Sequence, residues 1–147
     1  MNLFITRTTL FVNRLLALVM FVLLFALPPM LDWYVQLRPL TQESAKLAIL
    51  VGFYCCAVAI FPALWDLDVL LRNILKRDIF IARNVTAIRH VRWYCVAVSA
   101  ICLPAAFFYQ PLIFMVIIMF FLALILSVLG EVMAAAVEIR EENDLTV

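Results

Sequence analysis

Charged residues, glycine and histidine are all scarce in this chain. Only 14% of its 147 residues are charged, two are glycine and one is histidine, whereas 68% are hydrophobic. Soluble domains carry about a quarter charged and about half apolar residues. A domain of this size also leaves roughly a third of its unfolded surface exposed. So many apolar residues cannot all be buried in one small core, which excludes an ordinary water-soluble domain and indicates a surface that faces lipid.

Motifs for catalysis, metal binding and phosphate binding are also missing. Cys55, Cys56, Cys95 and Cys102 fall in apolar stretches and show no CxxC or Cys/His spacing, so we expect no zinc site. The chain has no glycine-rich phosphate loop, and its one histidine, His90, lies on the polar side of a basic segment. We therefore expect no cofactor and no enzymatic activity. The net charge of +1 gives no general attraction to nucleic acid, so direct nucleic acid binding is not expected.

Four charge-free windows are long enough to cross a bilayer, which takes about 17–25 mostly apolar residues. They are Leu15–Leu31, Leu47–Trp65, Trp93–Tyr109 and Pro111–Gly130. The sequence thus predicts an all-α integral membrane protein with four transmembrane helices, a single domain over residues 1–147. The spans are expected at about 12–31, 46–65, 93–109 and 111–137.

The first and third windows need closer inspection as membrane spans. The first window has a basic start, but Pro28-Pro29-Met30 follows without a small-x-small cleavage site, so we expect a retained helix rather than a signal peptide. The third window is the weakest because it is short and contains Pro104. Counting depth along the second and third windows places Cys56 and Cys102 near the bilayer middle on neighbouring antiparallel helices.

The basic residues fix the expected orientation. They concentrate at the N-terminus and in residues 66–92, whereas only Arg38 and Lys46 lie between the first two windows. The positive-inside rule therefore places both termini and residues 66–92 in the cytoplasm.

Residues 66–92 show two amphipathic helical patterns. Apolar residues recur at helical spacing before and after a break near Lys76–Phe80, and Asp68 and Arg72 form an i,i+4 pair on the polar side. The pattern predicts a cytoplasmic helical hairpin between the second and third spans, with its tip at that break. Two alternatives stay open: the arms lie flat on anionic lipid, or their basic residues only mark the cytoplasmic side.

Two charged residues fall at membrane depth. Arg14 lies near the inner end of the first span and Glu131 about two turns inside the inner end of the fourth. Because a buried ionisable group usually has a partner, we expect an intramembrane Arg14–Glu131 ion pair. The competing interpretation makes Glu131 a proton or ligand site.

The chain ends in an acidic tail, residues 138–147, of sign opposite to the basic arms. Two separate motifs, one in the arms and one in this tail, resemble the bacterial membrane protein family called domain of unknown function 2975. The first is L-R-N-I, followed further on by F-x-x-x-N-V-x-x-(L/I)-R. Its residues here are Leu71, Arg72, Asn73, Ile74, Phe80, Asn84, Val85, Ile88 and Arg89. The second is E-N-D-L-T-V, here Glu142 to Val147, with Glu131 at the acidic position of the last span.

The resemblance covers essentially the whole chain and implies a four-span protein of the bacterial cytoplasmic membrane. The family has no established activity, but its members are often encoded beside a Cro-like helix-turn-helix regulator, which implies a partner of that class. Family members typically have glycine near the hairpin tip and threonine after the phenylalanine. This chain has Arg77-Asp78 and Ile81 there, which leaves Asp78 as the only candidate cap for the second arm.

Two functional hypotheses follow. The first is an interaction or regulatory module that docks a cytoplasmic partner on the hairpin and tail. The candidate contact residues are Arg72, Arg83, Asn84, Arg89, Arg92, Glu142, Asp144 and Val147. The second is a small transporter, channel or immunity protein that uses Glu131, in which case the chain forms an oligomeric pore. Homo-oligomer formation stays open under both hypotheses.

Overall fold

Four long α-helices make up the described part of the chain. The computed structural model describes residues 3–37 and 43–145, and the helices are α1 (Leu3–Leu37), α2 (Glu43–Leu75), α3 (Ala82–Ala106) and α4 (Leu112–Leu145). At ~1.5 Å per residue, α1, α2 and α4 are each about 50 Å long, well beyond the ~30 Å hydrocarbon core of a bilayer. The all-α prediction is confirmed, and these helices run past the ends of the predicted spans.

The helices pack in chain order, each antiparallel to the one before it. Tyr54 on α2 donates a hydrogen bond to the backbone oxygen of Leu24 on α1 at 2.7 Å. Ser99 on α3 donates to the backbone oxygen of Val116 on α4 at 3.3 Å. Among the described residues, the helix backbones approach one another closely only between consecutive helices. The result is an open row rather than a closed bundle.

Three of the four helices are long and apolar enough to cross a membrane. The qualifying segments in the described ranges are Phe4–Tyr34, Lys46–Leu75 and Leu112–Asn143. The first half of α3 carries several basic residues, so its apolar part is only Trp93–Ala106, about 21 Å of helix at ~1.5 Å per residue. These three helices indicate a membrane protein.

The packed core lies where α2, α3 and α4 meet. Cys56, Val98 and Cys102 are buried together, and Val116 and Met119 of α4 pack against them. The predicted proximity of the two cysteines is confirmed, since their Sγ atoms are 3.6 Å apart. Most large apolar side chains outside this cluster are exposed on the outer faces of the row, as expected for side chains in contact with lipid.

The turn between α2 and α3 is built without glycine. Arg77 adopts a left-handed conformation with φ of 67°. Its N–H bonds to the Ile74 carbonyl at 3.1 Å and the N–H of Asp78 bonds to the Asn73 carbonyl at 3.0 Å, which is the Schellman arrangement. Arg77 thus occupies the position for which the resemblance implies glycine. The expectation that Asp78 caps the second arm is corrected, because the N-cap of α3 is Ile81 with no side-chain hydrogen bond.

Candidate interaction surface at the polar end of the row

A buried carboxylate joins α1 to α2. Asp68 is only 8% exposed and lies between two arginines. Arg14 donates from Nε to its Oδ1 at 3.1 Å. Arg72, one turn further along α2, forms an ion pair with the same carboxylate, with Nη2 2.5 Å from Oδ2. The i,i+4 pairing predicted for Asp68 and Arg72 is confirmed. Both arginine side chains are more than half exposed, so the carboxylate is held from the solvent side by two charged donors.

Equivalent polar contacts join the other helices at the same level. Between α2 and α3, His90 Nδ1 lies 3.2 Å from Asp66 Oδ2. Between α3 and α4, Arg89 Nη2 lies 3.5 Å from Glu131 Oε1. Asp66 is partly buried, but His90, Arg89 and Glu131 are each about half exposed or more. Pairs with such exposure each contribute only about 0–1 kcal/mol.

Arg92 adds a polar contact near the same level. Its Nη1 donates to Ser127 Oγ at 3.5 Å, and its guanidinium carbon lies 5.5 Å from the Trp93 ring centroid. We call this set the polar layer; its members are Arg14, Asp66, Asp68, Arg72, Arg89, His90, Arg92, Ser127 and Glu131.

The predicted Arg14–Glu131 ion pair is not formed. The two residues lie at about the same level, as their partners show, but on opposite edges of the row. Because α2 and α3 stand between α1 and α4, Arg14 binds Asp68 and Glu131 binds Arg89 instead. The expected depths of Arg14 and Glu131 agree with the structure, but depth alone does not identify which helices are neighbours.

A second polar contact marks the opposite end of the same helix pair. Lys46 of α2 donates to Asp32 of α1. About 27 Å of helix separates Arg14 from Asp32 at ~1.5 Å per residue, close to the ~30 Å thickness of a hydrocarbon core. The two polar contacts therefore lie where the two surfaces of a membrane would be.

Beyond the polar layer, the four helices continue to a common end that contains the hairpin turn. Asn84 on α3 is fully buried there. Its amide nitrogen donates to the carbonyls of Asp78 at 2.9 Å and Ile79 at 2.8 Å, and its side-chain oxygen accepts from Asn73 at 2.8 Å. The expected role of Asn84 in partner contact is therefore corrected: a side chain with no exposed surface holds the turn together and cannot touch a partner.

The other predicted contact residues fall into two groups. Arg72, Arg89 and Arg92 have polar partners in the polar layer. Arg83 is exposed, as are Lys76 and Arg77 on the turn, and none of these three forms an ion pair with a described residue.

The acidic tail is helical through most of its length. Glu142 is exposed near the end of α4, whose last residues include Asp144, while Val147 lies outside the described residues. Arg140 donates to the Phe80 carbonyl at 3.4 Å, which holds the end of α4 beside the hairpin turn.

The contribution of Asp68 to α1 packing escaped the sequence reasoning. Asp68 was paired with Arg72 along its own helix, and Arg14 was paired with a residue on a distant helix. A usable signal was present, because sequential elements are usually adjacent in space and Asp68 lies at the depth of Arg14.

The geometry defines a class: an all-helical chain with membrane-length helices and one polar end. Comparison with protein families is more specific, since the family model described as "Protein of unknown function (DUF2975)" matches residues 8–147. The chain belongs to this family, as its two motifs indicated. Comparison with curated proteins and with solved structures gave no match.

Proposed function

We propose that this protein is a bacterial inner-membrane interaction module that docks a soluble cytoplasmic partner on its hairpin end. The observation that carries the proposal is the exposed basic group at the hairpin turn, held beside the acidic end of α4. Lys76 and Arg77 lie on the turn itself and Arg83 in the first turn of α3. Both surfaces lie beyond the polar layer, where they would stand clear of lipid.

The arrangement of the helices supports four crossings. α2 and α4 are both antiparallel to α3, so they run in the same direction. If both cross the membrane, the chain between them has to return across it, and α3 is the only helix in that stretch. Its apolar part is short, but Phe107 and Phe108, both exposed, extend it into the turn before α4. With the positive-inside rule, the hairpin end and both termini then face the cytoplasm.

The docking surface carries both signs of charge. The turn and the start of α3 contribute three exposed cations, and the end of α4 contributes the exposed carboxylates Glu138 and Glu141. Complementary charge speeds association and selects partners more than it adds affinity. A compact soluble protein with its own acidic and basic patches fits this surface, and a Cro-like regulator is the partner class that the family resemblance implies.

The transporter, channel or immunity hypothesis has weaker support. The Glu131 side chain is 68% exposed and lies in the polar layer, not at the bilayer middle. Helices in an open row do not surround a lumen, so a pore would require several copies of the chain. This hypothesis predicts a resistance or transport phenotype that is lost in Glu131→Gln and unaffected by changes at the hairpin turn.

The test is purification from native membranes of wild type and a Lys76→Glu/Arg83→Glu variant, followed by identification of co-purifying soluble proteins. The matched control is Lys76→Arg/Arg83→Lys, which keeps charge and approximate size at both positions. We expect a partner with wild type and control that is absent with the reversed variant. Equal recovery from all three proteins, or recovery of no partner from wild type, would refute docking at the turn.

The expectations of no enzymatic activity and no cofactor stay predictions.

A further inference from the structure

A polar cleft lies between α1 and α2 at the level of the polar layer. Its volume is about 240 Å³, less than the roughly 300–1,000 Å³ of pockets that hold drug-sized ligands. The polar wall consists of Asn13, Arg14, Asp68 and Arg72, and the apolar wall of Ala17, Phe61, Leu64 and Trp65. The cleft therefore suits a small polar group joined to an apolar one.

The two arginines of the cleft have donors to spare. Asp68 engages Nε of Arg14 and Nη2 of Arg72, whereas a guanidinium presents five N–H donors. The three charged groups together leave one net positive charge. Their shared carboxylate fixes both guanidiniums at one wall of the cleft, so their remaining donors can engage the oxygens of a phosphate, a group that arginine binds bidentately.

The cleft also contains an acceptor without a partner. Asn13 is 4% exposed, and its Nδ2 donates to the Leu64 carbonyl at 3.0 Å. Its Oδ1 is buried and has no hydrogen-bond partner among the described residues. A buried amide oxygen without a donor costs about 1–3 kcal/mol. A small group with a donor, such as a hydroxyl, that reached this oxygen from the cleft would remove that cost.

The position of the cleft identifies the source of such a ligand. Trp65 is 70% exposed at the mouth of the cleft, and tryptophan is enriched where the bilayer meets water. The apolar wall continues from the polar layer toward the bilayer, where acyl chains would lie. Basic pockets between membrane helices on the cytoplasmic side are a recurring kind of site for anionic lipid headgroups.

We propose that this cleft binds the headgroup of an anionic lipid that carries a hydroxyl, the chemistry of phosphatidylglycerol. The phosphate lies against Arg14 and Arg72, a headgroup hydroxyl donates to Asn13 Oδ1, and the acyl chains follow the apolar wall past Trp65. This site is separate from the proposed docking surface, and partner binding is not needed for it.

Trp65 provides the reporter for the test. The chain has three tryptophans, so the background is Trp33→Phe/Trp93→Phe in the full-length protein. The protein is reconstituted in phosphatidylcholine vesicles that contain a small fraction of brominated phosphatidylglycerol or, separately, brominated phosphatidylcholine. Bromine quenches tryptophan fluorescence on contact, so the ratio of quenching measures enrichment of one lipid at the cleft.

We expect brominated phosphatidylglycerol to be enriched at Trp65 about fivefold, the preference that one excess positive charge near a membrane surface confers. The variant Arg14→Gln/Asp68→Asn/Arg72→Gln removes all charge without leaving a buried carboxylate unpaired, and it should abolish the enrichment. The matched control, Asp32→Asn/Lys46→Gln, neutralises the other polar contact of the same helix pair and should retain it. Circular dichroism establishes that each variant is folded.

Three outcomes would overturn the lipid site, and a fourth would overturn its hydroxyl contact. Equal quenching by both lipids would show that the cleft does not select the anionic headgroup. Enrichment that survives in the triple variant would place the lipid elsewhere. Displacement of brominated phosphatidylglycerol by soluble glycerol phosphate would assign the cleft to a free phosphate ester. Wild type should also enrich brominated phosphatidylglycerol over brominated phosphatidic acid, which lacks the glycerol headgroup, and Asn13→Leu should remove that difference. A difference that is unchanged in Asn13→Leu would contradict the hydroxyl contact.

Discussion

Two buried asparagines distinguish the two polar regions of this protein. At the hairpin turn, Asn84 has no exposed surface and uses both its amide nitrogen and its oxygen in hydrogen bonds. In the α1–α2 cleft, Asn13 is almost as deeply buried, yet only its nitrogen is engaged. A complete set of hydrogen bonds indicates a residue that holds the fold. The unpaired oxygen of Asn13 is the atom to which we propose that a headgroup hydroxyl donates.

The largest loss of stability is expected when Asn84 is replaced. Replacement of Asn84 by Leu leaves two backbone carbonyls and the Asn73 amide without partners, so we expect the free energy of unfolding to fall by about 3 kcal/mol. Unfolding in mixed micelles, followed by circular dichroism, measures the loss. The control is Thr86→Val on the same helix, where one exposed bond to the Ala82 carbonyl is removed and a change below about 0.5 kcal/mol is expected. Equal effects of the two substitutions would mean that the Asn84 network is not what holds the turn.

A substitution at the turn should increase stability rather than reduce it. Arg77→Gly should raise the free energy of unfolding by about 1 kcal/mol, because the left-handed conformation at φ of 67° is costly for residues with a Cβ and not for glycine. The neighbouring control, Lys76→Gly, falls where the backbone is not left-handed and should lose stability. A loss in both variants would show that conformational strain at Arg77 is negligible.

The smallest effect is expected at Asn13. Asn13→Leu removes one hydrogen bond, worth about 1 kcal/mol, but also removes a buried acceptor that lacks a partner. We therefore expect the free energy of unfolding in neutral micelles to stay within about 1 kcal/mol of wild type. A loss as large as that of Asn84→Leu would erase the distinction between the two asparagines.

The sequence was informative about elements and depth and much less so about neighbours. Apolar windows and helical spacing predicted the helices, the hairpin break and the level of Arg14 and Glu131. Periodicity along a helix does not indicate which helix lies beside it. The sequence therefore predicted Glu131 as the partner of Arg14, whereas the structure shows Asp68.

Asn84 shows a second limit of the sequence. It stands on the arm among exposed arginines, and its burial depends on the path of the Arg77 turn. Without glycine at position 77, no local sequence pattern predicts the backbone path of this turn. The polar cleft was missed for a different reason, since Arg14 and Asp68 are distant in sequence and meet only across two packed helices.

Packing between consecutive helices alone has a consequence for biogenesis. The backbone approaches join helices that are consecutive in the chain, so each interface needs the closure of only one connection between helices. A chain that enters the membrane in order of synthesis can complete each interface as soon as the next helix arrives, because the earlier partner is already in place. α1 packs only on α2, so its interface is complete before α3 and α4 are synthesised. The fold can therefore be assembled step by step during translation.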